Sequence, residues 1–156
     1  MKVWVAIWVM GLLVLPAQGA EVQGSAKVTD GDSLRISGVR IRLFGIDAPE
    51  LRQRCQDAEG ADYACGVRAH NALRSLINGQ PVRCVRVDVD RYNRWVSDCF
   101  VGSTHLNQQM VLQGQAVAYR RYSNRHVDSE QQARDAKRGL WQGRFVSPER
   151  WRRQNR

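Results

Sequence analysis

Lysine is nearly missing from this chain: it supplies three of the 24 basic residues and arginine the other 21. The positive charge is therefore carried by planar guanidinium forks, which pair with phosphate through two hydrogen bonds where lysine offers a point charge. Histidine is scarce too. His70, His105 and His126 stand at no ligand spacing and no Cys-x-x-Cys occurs, which argues against a zinc site and leaves them as surface or helix-face histidines. No apolar run reaches the roughly 20 residues that cross a bilayer. Internal repeats and low-complexity linkers are absent from the sequence as well.

What is there begins with Met1-Lys2 and an uncharged apolar run of thirteen residues, Val3 to Leu15, which Pro16 ends and Ala17-Gln18-Gly19-Ala20 follows. A basic start, a short apolar middle and small residues at the end read as a secretory signal peptide over residues 1–20, with an anchor as the weaker alternative. The mature chain is then exported, periplasmic or extracellular, with no membrane contact, and large enough for one core but not for two. Losing Lys2 with the leader takes the formal charge from +9 to +8, so nucleic acid is the leading partner, although an anionic-surface binder fits the same composition. Cys55, Cys65, Cys84 and Cys99 are even in number and meet an oxidising compartment. The first two close a local loop and the last two flank a predicted hairpin, which favours Cys55–Cys65 with Cys84–Cys99.

Short β-branched runs at Ala26 to Thr29, Leu34 to Ile36 and Val39 to Leu43, separated by Asp30-Gly31 and Ser37-Gly38, predict a three-strand meander. Val82 to Val89 and Trp95 to Val101 add two strands around the turn Asp90-Arg91-Tyr92-Asn93-Arg94. Between the third and fourth strands, Val67, Leu73, Leu76 and Ile77 recur at helical spacing before Asn78-Gly79. A second helix is expected after Ser103-Thr104, with Leu106, Met110 and Val111 as its stripe and Gly114 as its end, and a third from about Asp128 to Arg138. This order predicts an α+β fold: a five-stranded Greek-key barrel of OB type with three packed α-helices. Residues 51–64 read as a loop. The arginine-rich tail, 148–156, reads either as a solvated, frayed end or as an arm that grips nucleic acid.

The chemistry concentrates in Asp30-Gly31-Asp32-Ser33-Leu34 and Arg42-Leu43-Phe44-Gly45-Ile46-Asp47-Ala48-Pro49-Glu50. Alone, the first is as readily a turn and the second a rigid strand exit. Together they bring Asp32 and Asp47 to one end of a barrel, where two carboxylates repel unless a hard cation such as Ca²⁺ binds both, with a backbone carbonyl offered by an exposed turn at Ala48. Glu50, across the proline, is then placed to act on a water as general base. Arg42 lies near the pair, and Arg94 lies in the turn before the fifth strand. Fixed donors of this kind stabilise a transition state that gathers negative charge.

These blocks, with Asp90-Arg91-Tyr92-Asn93-Arg94 and Ala136-Lys137-Arg138-Gly139-Leu140-Trp141, resemble the staphylococcal nuclease (thermonuclease) family over about residues 25–142. The resemblance implies a Ca²⁺-dependent nuclease domain over 21–147, cutting DNA and RNA, single strands preferred, to 3′-phosphate products, as a monomer. It further implies Asp32, Asp47 and the Ala48 carbonyl as metal ligands, Asp30 in the outer shell, Glu50 as base, and Arg42 and Arg94 on the phosphate. Arg91, Tyr92 and Tyr119 become substrate contacts, the tyrosines stacking on bases without reading them or else packing on the barrel. The chain departs from the family pattern at Ala48, where threonine is usual, at Asn93 beside Arg94, and at Arg121, where a tyrosine is expected and Tyr122 stands one step away. A binding module on the same barrel gains nothing from three carboxylates where phosphate must sit, and a cationic adhesion protein has no reason to combine them with Arg42 and Arg94.

Overall fold

The computed structural model describes residues 19–155. The expected leader therefore lies, up to residue 18, outside the described residues. Strands β1 (Glu21–Gly24), β2 (Ala26–Asp30), β3 (Ser33–Ile36), β4 (Val39–Leu43), β5 (Ile46–Asp47), β6 (Cys55–Gln56) and β7 (Asp62–Tyr63) precede helix α1 (Cys65–Ile77). Then come β8 (Val82–Val89), β9 (Trp95–Val101), β10 (Thr104–His105), α2 (Leu106–Leu112), β11 (Val117–Ala118) and α3 (Val127–Asp135). A 3₁₀ turn (Gly139–Gln142) and α4 (Pro148–Gln154) end the chain. Among the described residues no helix is long and apolar enough to cross a membrane.

The main sheet runs β1-β8-β9-β4-β3-β2, antiparallel throughout except for β4 beside β9, and it curls so that β1 approaches β3. This is the α+β, OB-type architecture that the strand and helix order predicts, and the structure adds β1, several two-residue strands and a fourth α-helix to it. Alternation along β4 explains the layering: Ile41 and Leu43 are buried in the core while Arg40 and Arg42 point the other way. Leu34, Ile36 and Ile46 complete the barrel interior, and α1 lays Ala69, Leu73 and Ile77 on it at a spacing of four. Asn78 closes α1 in the left-handed conformation, as an Asn-Gly stop should.

Two glycines are fixed by contact. A Cβ on Gly31 would come within 2.7 Å of the Ala69 side chain and 2.8 Å of that of Ala48, so the Asp-Gly-Asp turn is pressed between α1 and the Asp47 strand. A Cβ on Gly66 would stand 1.8 Å from the Glu50 carbonyl, so the first turn of α1 lies directly on the backbone of Glu50.

Both expected disulfides are present. Cys84 and Cys99 sit opposite each other in the β8–β9 hairpin, buried, and Cys55–Cys65 ties the 51–64 segment to the start of α1. That segment is more ordered than a loop: β6 pairs with β7, and Gln53 is fully buried, its side-chain amide donating to the Val146 carbonyl at 2.7 Å. The tail 148–156 differs most from its sequence reading as a frayed end. Its first seven residues form α4 (Pro148–Gln154), begun by Ser147 and by Pro148 at the first helical position.

Candidate active site

The β2–β3 turn and β4 bring the first carboxylate and arginine together by register. Arg42 lies opposite Ser33, so its guanidinium reaches Asp32, the residue just before. The second carboxylate arrives differently. Gly45, at φ 75°, turns the chain after β4, and Asp47 sits on its own short strand paired with β11 opposite Val117. Arg42 then bridges the two, donating to Asp32 Oδ1 at 3.2 Å and to Asp47 Oδ1 at 2.9 Å. The arginine expected near the pair is thus bonded to both members.

Both aspartates are buried. Burial works to raise Asp32, but the Arg42 charge and the Ala48 N–H, which donates to Oδ2 at 2.9 Å, hold its carboxyl below the usual range. Ala48 itself is buried, not on an exposed turn as expected, and the contact the structure gives it is through its N–H. Asp30 carries the opposite shift: burial and then the Asp32 charge push it up to about 7. Burial raises Asp47 as well, against the arginines that touch it.

A further residue completes the centre, one that sequence reasoning missed. Arg152 of α4 donates to Asp47 Oδ1 at 2.8 Å, to Asp47 Oδ2 at 3.0 Å and to Glu50 Oε1 at 3.0 Å. Glu50 is set in place from below by Gly66 against its carbonyl and from the side by Gln53, whose Oε1 accepts its N–H at 3.3 Å. The one local sign of α4 is Ser147-Pro148-Glu149, a helix-start pattern. Nothing in sequence separates Arg152 from the other arginines.

Arg94 stands apart from the carboxylate pair but lines the same cleft, of about 820 Å³. Its Nε donates to Asp90 Oδ2 at 2.8 Å, while Asp90 Oδ1 accepts the N–H groups of Tyr92 and Arg94. Asp90 thereby folds the hairpin end around itself, and Asn93 takes φ 57°, a left-handed conformation that asparagine tolerates in place of glycine. Arg91 and Arg94 both lie over the Tyr92 ring, which is 55% exposed. On the other wall Tyr119 meets Tyr122 edge to face at 5.0 Å, with Tyr122 64% exposed and Arg121 beside it. The cleft is therefore lined by arginine and by aromatic faces open to solvent, so Tyr92 and Tyr122 are not spent on packing the barrel.

The donor set fits a hard divalent cation. Two buried carboxylates share one end of the cleft, a third beside them, Asp30, is pushed up to about 7 by burial and then by the Asp32 charge, and a guanidinium already sits against Asp47. Among the described residues no three Asp, Glu, His or Cys side chains form a cage, so Asp32 and Asp47 would hold such an ion together with backbone oxygen and water.

A curled OB-type barrel that sets such carboxylates and arginines into a basic, aromatic-walled cleft defines an enzyme that acts on phosphodiesters. Residues 40–143 match the family model described as Staphylococcal nuclease homologue. Among relatives, the Succinoglycan biosynthesis protein ExoI of Rhizobium meliloti (strain 1021) is 36% identical over 135 residues, covering 83% of this chain and 70% of that protein. An Uncharacterized endonuclease of Haemophilus influenzae is 31% identical over 138 residues, 83% of this chain and 72% of its own. The Probable staphylococcal-like nuclease CAN3 of Oryza sativa subsp. japonica is 35% identical over 120 residues, 75% of this chain but 29% of that longer protein. The chain belongs to the staphylococcal nuclease family and is a nuclease.

Proposed function

We propose that the protein is an exported, Ca²⁺-dependent nuclease that hydrolyses DNA and RNA to 3′-phosphate products as a monomer, single strands preferred. The observation that carries this reading is the buried Asp32–Asp47 pair, bridged by Arg42 at the floor of an arginine- and tyrosine-lined cleft. Asp32, Asp47 and the Ala48 carbonyl would hold the cation. When bound, Ca²⁺ neutralises phosphate charge and favours attack at phosphorus.

The chain's own residues supply the rest. Glu50, held by Gln53 and Gly66, accepts a proton from the attacking water. Arg42, already charged and pre-oriented on β4, and Arg94, released from Asp90, donate to the oxygens on which negative charge grows. Arg91 adds charge along the strand, and Tyr92 and Tyr119 stack on bases, each stack contributing about 1–3 kcal/mol without choosing among them. Tolerance of sequence follows from that chemistry. Two disulfides support an oxidising location, periplasmic or extracellular, in line with the leader expected over 1–20.

The test separates metal binding from proton transfer. Asp32→Ala is expected to weaken Ca²⁺ affinity and rate together, whereas Glu50→Gln keeps Ca²⁺ and nucleotide binding and loses roughly 10²–10⁴-fold in single-turnover cleavage. Calorimetric Ca²⁺ titration beside cleavage kinetics reads both. Equal loss of Ca²⁺ affinity in the two variants makes Glu50 a ligand, and unimpaired cleavage by Glu50→Gln removes the general base.

A further inference from the structure

Arg152 is placed against the two groups that catalysis needs free. Its fork takes both oxygens of Asp47, and the same Nη1 takes Glu50 Oε1, where a proton from water would have to arrive. Arg42 is fixed in the middle of the sheet, its side chain 18% exposed between two aspartates. Arg152 has a different mounting. It projects from a seven-residue helix at the chain end, beyond the stretch matched by the family model, with its side chain 29% exposed at the mouth of the cleft. The same cleft is lined also by Tyr119, Arg121 and Tyr122.

A guanidinium fork matches a carboxylate and a phosphate with the same two-donor geometry. Exchange of one for the other therefore keeps two charge-assisted hydrogen bonds and needs only a swing of a long side chain. We propose that Arg152 is a third phosphate-binding arginine of the centre, held on Asp47 and Glu50 until a nucleic-acid phosphate takes it over and frees both carboxylates. The proposal rests on the Ca²⁺ reading of the site. Its consequence is thermodynamic: Arg152 and the cation compete for Asp47, so a polyanion that removes Arg152 raises cation affinity, and the cation raises polyanion affinity by the same factor. The enzyme then assembles its loaded centre chiefly where substrate is present.

The test is a calorimetric Ca²⁺ titration of the purified protein at fixed ionic strength, with and without a short, cleavage-resistant phosphorothioate single strand. Arg152→Gln is expected to bind Ca²⁺ alone at least about fivefold more tightly than the parent, and the strand should then enhance its Ca²⁺ affinity far less. Arg152→Lys, which keeps the charge without the fork, falls between. Arg150→Gln, on the same helix and with the same change in net charge, behaves as the parent. Loss of packing does not tighten metal binding, so the direction of the effect is diagnostic. Unchanged or weaker Ca²⁺ affinity in Arg152→Gln overturns the proposal, as does an equal gain in Arg150→Gln, which would be a diffuse charge effect. Absence of Ca²⁺ binding by every form, with or without the strand, removes the calcium reading and this proposal with it.

Discussion

Asn107 offers the sharpest test of how the barrel holds the catalytic segment. Its side chain, fully buried at the start of α2, accepts the Cys99 N–H at 3.0 Å and donates to the carbonyls of Phe44 and Ser97, both at 3.0 Å. It therefore knots β9 to the chain that turns at Gly45 and enters the Asp47 strand. Asn107→Ala strands a buried N–H, which costs about 1–3 kcal/mol, and deprives the Phe44 carbonyl of this donor at a similar or smaller cost. The Ser97 carbonyl keeps its bond from the Phe44 N–H at 2.8 Å and contributes less. The expected loss is about 3–5 kcal/mol, or roughly 2 M in the urea midpoint at a slope typical of a small domain. Asn107→Asp keeps the bond from Cys99 but turns a carboxylate toward two carbonyl oxygens. Its folded pKa is raised above the unfolded value, so the deficit is present at neutral pH and eases as acid restores one donor. Equilibrium unfolding monitored by tryptophan fluorescence measures both. A loss below about 1 kcal/mol for Asn107→Ala with an unchanged slope would refute the reasoning, since it would mean the three bonds are readily replaced.

Converting both Cys84 and Cys99 to alanine reopens a loop of sequence separation 15 and should cost about 3 kcal/mol, read as a lower urea midpoint relative to the oxidised parent. Burial, and then the neighbouring His105, holds His126 below the ordinary histidine value of 6.5. The neutral ring therefore stabilises the fold fully above 6.5, and this contribution is lost as pH falls through that value toward the lower folded pKa; His126→Gln, unable to take the proton, should show a shallower decline in midpoint from pH 7.5 to 5. Binding of a single-stranded oligonucleotide should weaken steeply with salt, and Arg91→Ala should reduce the logarithmic slope by about one; an unchanged slope would take Arg91 off the substrate path.

Local signals carried much of the fold. The meander of β2 to β4, the β8–β9 hairpin and α1 are legible because their apolar residues alternate at the strand or helix period and their turns are punctuated by Gly, Asn and Asp. The cysteine pairs follow from the same elements. Asp32, Arg42, Asp47 and Glu50 could be nominated, because strand ends and a proline exit fix where their side chains gather. The partners of those residues could not. Gln53 sits in a polar stretch with no periodicity, Asn107 is one polar residue inside a helical stripe, and Arg152 lies on a helix too short and too charged to show an apolar face. Each acts through a contact between distant parts of the chain, which composition and spacing do not encode.

The reach from Arg152 to Asp47 spans 105 positions. A polypeptide made from its N-terminus onward thus completes every strand of its barrel, and both buried aspartates, well before the guanidinium that balances Asp47 has been synthesised. Until then the pocket has Arg42 as its sole counter-charge among the contacts described. A message cut short after the 3₁₀ turn would encode a nearly whole fold with an electrically unfinished centre.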